Sequence, residues 1–62
     1  VKTKLGDVTF SYDGFVANAT IDDTVVYTKT TAEIDTYSTQ ATTATDYLVA
    51  LVEMYIKDGG KL

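Results

Sequence analysis

The chain has 62 residues, with five lysines, no arginine, nine carboxylates and a net charge of −4. It lacks cysteine and histidine, so neither a disulfide nor a zinc site of the usual nitrogen/sulfur kind can form. A pI of about 4.3 without a single arginine argues against direct nucleic-acid binding and against anionic membrane surfaces. This length allows one small domain, residues 1–62, which buries only about 60% of its unfolded surface and is marginally stable alone. Of the usual aids to small folds, oligomerisation or docking on a larger partner is the one left.

Val1-Lys2-Thr3-Lys4 has no apolar core behind its lysines and does not read as an intact signal peptide. The β-region is read over about residues 7–30. Val8 to Tyr12 alternates, with Val8, Phe10 and Tyr12 on one face and Thr9 and Ser11 on the other. Asp13-Gly14 is a dipeptide suited to a two-residue type I′ hairpin, in which both central residues need positive φ. The following run places Phe15, Ala17, Ala19 and Ile21 on one face. A two-residue loop then pairs Tyr12 with Phe15, Phe10 with Ala17 and Val8 with Ala19, apolar against apolar throughout.

Asp22-Asp23 marks a second turn, and Thr24 to Thr30 reads as a third strand rich in β-branched residues. A two-residue turn puts Val26 on the face of Ile21, whereas a three-residue turn puts Val25 and Tyr27 there. The first is preferred, because Thr24 lacks the positive-φ tolerance that the longer turn asks of its last position.

Beyond Thr30 the hydrophobic period changes. Ile34, Tyr37, Ala41, Ala44, Leu48, Leu51 and Tyr55 recur at alternating spacings of three and four, a heptad-like seam. Threonines at 36, 39, 42, 43 and 45 oppose helix formation, because β-branching restricts χ1. Two readings stay open. One helix runs from about Ala32 to Asp58, or a short helix and a Thr-rich break precede a second helix over about residues 45–58. In the second reading Thr45-Asp46 supplies the N-cap, Lys57 complements the dipole in the last turn, and Gly59-Gly60 ends the helix.

From Tyr47 to Ile56 the only charge is Glu53, so apolar side chains point almost all round the helix. This run is too short to cross a bilayer, which takes about 20 residues. A helix that is apolar all round is buried on more than one side. Leu48, Leu51, Val52 and Tyr55 are assigned to the core, entering beside the small pair Ala17 and Ala19. Tyr47, Val49, Met54 and Ile56 then remain as candidate interface residues. Tyr47 is the foremost of these because it lies off the Leu48–Leu51 seam and tyrosine is favoured in protein contacts.

Nothing in the chain matches a catalytic, cofactor or metal pattern. Ser11 and Ser38 have no histidine or cysteine to work with. No phosphate-binding glycine loop is present, and Gly59-Gly60 follows a helix rather than opening one. Asp22 and Asp23 lack the spacing of a calcium loop and are explained by turn chemistry. Asn18-Ala19-Thr20 fits the N-glycosylation triplet, with Asn18 on the outward face, but threonine-rich chains produce such triplets by chance.

The expected fold is α+β, a three-stranded antiparallel meander packed against a C-terminal helix. The expected function is that of a non-enzymatic, structural or self-assembling protein whose apolar helix mediates contact with further copies of itself. An acidic module or inhibitor that docks on a larger protein is the alternative. Neither requires a cofactor, a nucleic acid or a small-molecule substrate.

Overall fold

A computed structural model describes residues 1–62. Its class is α+β: a four-stranded antiparallel meander in the order β1 (Lys2–Leu5), β2 (Val8–Tyr12), β3 (Val16–Ile21), β4 (Thr24–Thr30), followed by helices α1 (Thr31–Tyr37) and α2 (Ala44–Lys57).

The expected meander is one strand short. Lys2–Leu5 pairs with β2, with Thr3 opposite Phe10 and Leu5 opposite Val8 across a tight turn at Gly6-Asp7. The pairing extends to Val1, whose carbonyl accepts from the N–H of Tyr12 at 2.8 Å. Two lysines mask the strand pattern in the sequence. Alternation sends Lys2 and Lys4 to the outer face and leaves Val1, Thr3 and Leu5 on the inner one.

The β2–β3 register also needs correction. Tyr12 faces Ala17 and Phe10 faces Ala19, two residues away from the pairing set by a two-residue loop. A shift of two leaves every side chain on its expected face, so the apolar faces agree while the partners change. The loop is longer because Asp13 folds back on it. Its Oδ1 accepts from the N–H groups of Phe15 and Val16 at 2.8 and 2.9 Å. Those two bonds hold the Asp13 carboxyl below its ordinary pKa. Only Gly14 of the dipeptide has positive φ, at 99°. Phe15, expected on the inner face, is thrown out at the tip and is 74% exposed.

The type I′ geometry occurs instead at Asp22-Asp23, with φ of 51° and 64° and Ile21 directly opposite Thr24. The two-residue turn is therefore as expected, but its consequence for facing is not. A bulge passes over Val26, so that Thr20 faces Val25 and Ala19 faces Tyr27. One extra residue reverses the facing of the rest of the strand. Tyr27 thereby packs against the core while Val26 stays exposed.

Of the two helical readings, the broken one holds. The Thr30 side chain caps α1 by accepting from the N–H of Glu33, and Ile34 is the one residue α1 buries. The chain leaves helical geometry at Ser38. The N-cap of α2 is Thr43, two residues before the expected Thr45. Thr43 Oγ1 accepts from the N–H of Asp46, and the Asp46 carboxylate accepts in return from the N–H of Thr43, closing a capping box. Asp46 also accepts from both the N–H and the hydroxyl of Thr42. Its lowered pKa follows chiefly from the Thr42 and Thr43 backbone bonds.

The core lies between the sheet's inner face and α2. Phe10, Ala17, Ala19, Ile34 and Leu51 are fully buried, with Val8, Tyr12, Leu48, Ala50 and Tyr55 nearly so. The absence of bulk at Ala17 and Ala19 lets Leu51 and Leu48 reach the sheet. Tyr55 meets Phe10 and Tyr27 edge to face, each at 5.7 Å. Gly60 closes the end of α2 against the Tyr55 ring, where a Cβ would come within 2.6 Å. The heptad-like seam survives only in part. Ile34, Leu48, Leu51 and Tyr55 are buried, but Tyr37 is 41% exposed because α1 turns away before a continuous seam can form.

Candidate interaction surface

Helix α2 carries all four candidate interface residues, and its 3.6-residue period divides them between two flanks. Tyr47 and Met54 share one side with Leu51. Val49, Val52 and Ile56, spaced by three and four, form the other.

The side chains of the first flank, both half-buried, have partners within the chain. Tyr47 stacks on Tyr12 with ring centroids 4.9 Å apart and 16° between planes. Its hydroxyl donates to Asp35 Oδ1 at 2.5 Å, joining α2 to α1. That bond, aided by burial and the carboxylate's charge, pushes the Tyr47 pKa up to about 12. Tyr12 in turn shares a 3.3 Å hydrogen bond with the hydroxyl of Thr31 at the start of α1. Met54 packs half-buried against the core, and Ala50 is buried where the two helices meet. At the far end of α2, Tyr27 donates to the carboxylate of Asp58. Burial together with that bond raises the Tyr27 pKa to about 12.

The second flank is open. Val49 is 53% and Ile56 48% exposed. Beside them the sheet extends one strand beyond the cover of α2, because α2 sits over β2 and β3 and leaves the inner face of β1 bare. A groove of about 450 Å³ runs between the two elements, walled by Val1 ahead of β1, by Leu5 on β1 and by Leu48, Val49 and Val52 on α2. Helix and strand run in the same direction. Tyr47, near the start of α2, touches Tyr12 beside Val1, and the chain after α2 returns its final Leu62 to Gly6, next to Leu5. Lys2, Thr3, Thr45 and Glu53 complete the lining of the groove. The chain's one ion pair joins Lys29 to Glu33, so neither Lys2 nor Glu53 is neutralised by a neighbour.

The lining from β1 is absent from the sequence-based candidates because the strand itself is not read there. The signal that could have revealed it is the alternation Val1, Thr3, Leu5 against Lys2 and Lys4.

The sheet's outer face is chemically different. Lys2, Lys4, Thr9, Ser11 and Thr20 border a polar depression with Asp22 and Asp23 at its rim. Asp22 and Asp23 serve as the φ-positive pair of the β3–β4 turn, and no group of three or more acidic side chains converges as a cation site would require. Asn18 lies on this face as expected, half-buried and accepting from the Thr28 hydroxyl at 2.8 Å. No helix is long and apolar enough to cross a membrane.

No family model, curated protein or solved structure matches the chain.

Proposed function

We propose that this chain is a small non-enzymatic, self-assembling protein whose copies associate through the open flank of α2 and the adjoining inner face of β1. The observation that carries the reading is one apolar groove, Val1 and Leu5 beside Leu48, Val49 and Val52, with Ile56 exposed further along the same flank of α2, on a molecule with a total surface of only 3971 Å². Exposed aliphatic side chains are ordinary when scattered, whereas a contiguous apolar groove marks a contact surface. Each side chain fully withdrawn from water contributes about 1.5–3 kcal/mol. A few of them rival the entire stability of a domain this small.

Sedimentation velocity across a concentration series tests the reading. Association at micromolar concentration, abolished by Val49→Lys with the circular dichroism spectrum unchanged, is the expected result. A well-folded monomer at every concentration overturns it, and the acidic module that docks on a different protein then becomes the better account.

A further inference from the structure

Independently of whether copies of the chain assemble, we infer that the free edge of β1 takes up an extended acidic–apolar segment of another protein as an added strand. Its carboxylates meet Lys2 and Lys4, and its apolar side chains enter the β1–α2 groove. The backbone supplies the first argument. Val1 and Tyr12 exchange both hydrogen bonds, each at 2.8 Å. Antiparallel ladders alternate hydrogen-bonded and non-hydrogen-bonded pairs, and the register puts Thr3–Phe10 and Leu5–Val8 in phase with Val1–Tyr12. The N–H and C=O groups of Lys2 and Lys4 therefore point away from β2, on a side where β1 has no neighbour. Such a row of unpaired donors and acceptors is a template for a further strand.

Side-chain chemistry fixes the phase of that strand. Residues directly opposite each other in a sheet share a face, so a residue paired with Lys2 or Lys4 lies on the outer face beside their ammonium groups. Both lysines border the polar depression there; Asp7, Asp22 and Asp23 line it too, without forming an ion pair to either. A residue paired with Thr3 points instead to the inner face, into the groove walled by Leu5, Val49 and Val52. Glu53 also lines that groove. A carboxylate is thus attracted on the outer side and repelled on the inner one. The matching segment alternates apolar, acidic, apolar, acidic, apolar. Strand addition of this kind takes affinity from main-chain bonds and specificity from alternate side chains.

The β1 strand of a second copy does not meet these terms. Centred on Thr3, that pairing sets Lys2 against Lys4, and like charges directly opposite are destabilising. Edge lysines thus turn away a like strand while favouring an acidic one.

The probe is the peptide acetyl-Val-Glu-Val-Glu-Val-amide, titrated into the full chain and followed by nuclear magnetic resonance, with circular dichroism to confirm that each variant folds. Wild type is expected to bind it, with the amide signals of Lys2 and Lys4 shifting. The exposed double substitution K2E/K4E is expected to weaken binding by about tenfold or more, and to transfer it to acetyl-Val-Lys-Val-Lys-Val-amide. N-methylation of both peptide glutamates removes the donors that face the Lys2 and Lys4 carbonyls and should abolish binding. N-methylation of the central valine, whose N–H points away from β1, should leave it intact. A wild-type chain that ignores the peptide, a K2E/K4E variant that binds it equally well, or methylated peptides that behave alike overturns the added strand. Sedimentation of wild type without peptide reads self-assembly separately. A monomer that binds the peptide keeps this inference and loses that reading, and an assembly that ignores the peptide does the reverse.

Discussion

The two flanks of α2 have nearly the same hydrophobicity in sequence but different roles in the structure. On the side toward α1, Tyr47 and Met54 are absorbed into the fold: one by stacking on Tyr12 and bonding to Asp35, the other by packing on the core. On the side toward β1, Val49 and Ile56 remain exposed, because the element beside them is an edge strand that α2 does not cover. The difference teaches that an all-round apolar helix does not announce how many of its faces a partner must cover. That number depends on what the rest of the chain brings alongside.

Leu51 sits beneath both flanks and sets the scale. Fully buried against the small residues of β3, Leu51→Ala is expected to lower unfolding free energy by about 2–5 kcal/mol, as buried leucine truncations do. Urea denaturation followed by circular dichroism measures it, and a loss under 1 kcal/mol would mean that the core lies elsewhere. The flanks themselves are separated by a matched pair of substitutions. Met54→Lys places a charge against the core and is expected to cost more than about 1 kcal/mol of folding stability. Val49→Lys stays within about 0.5 kcal/mol in the monomer, as exposed substitutions usually do. Equal costs would erase the distinction between the flanks.

A smaller effect is expected where α2 starts. Thr43→Ala removes the N-cap that begins both flanks in the correct helical phase, and it should cost about 1 kcal/mol. The Asp46 half of that box also predicts acid sensitivity. Its carboxyl pKa is lowered in the folded chain, so its contribution is present above the unfolded value and is lost as pH falls through the folded one.

The least perturbing change addresses the closed flank alone. The phenol pKa of Tyr47 is raised to about 12 by its bond to Asp35. The stabilisation is therefore complete below an unfolded value of about 10 and disappears as pH climbs toward 12. Thermal melts of wild type should show a midpoint falling across that window, and Tyr47→Phe should flatten part of the fall. Tyr27, bonded to Asp58 and likewise raised to about 12, accounts for a further part. A variant with an unchanged alkaline profile would show that the Tyr47–Asp35 bond contributes nothing in solution.

Much of this architecture is legible in the chain. The alternation of Val8, Phe10 and Tyr12, the small Ala17–Ala19 pair, and the spacing of Leu48, Leu51 and Tyr55 are local periodicities that assign faces without reference to anything distant. The two-residue turn at Asp22-Asp23 is local as well, although the type I′ geometry is expected at Asp13-Gly14, and the stop at Gly59-Gly60 follows from end-of-helix chemistry. Candidate contact residues are half legible: Val49 and Ile56 are exposed apolar residues, but their partners on β1 are hidden by the lysines that alternate with them.

What only the tertiary structure decided is how these pieces meet. Asp13 bonding back onto its own loop moves the β2–β3 register by two. A single bulged residue turns Tyr27 inward and Val26 outward. The Thr-rich break lets α1 fold back so that Asp35 receives Tyr47. Each of these joins groups far apart in sequence or displaces a strand by one or two residues. Hydrophobic periodicity is blind to both: it states which way a side chain faces, and never which neighbour it will find there.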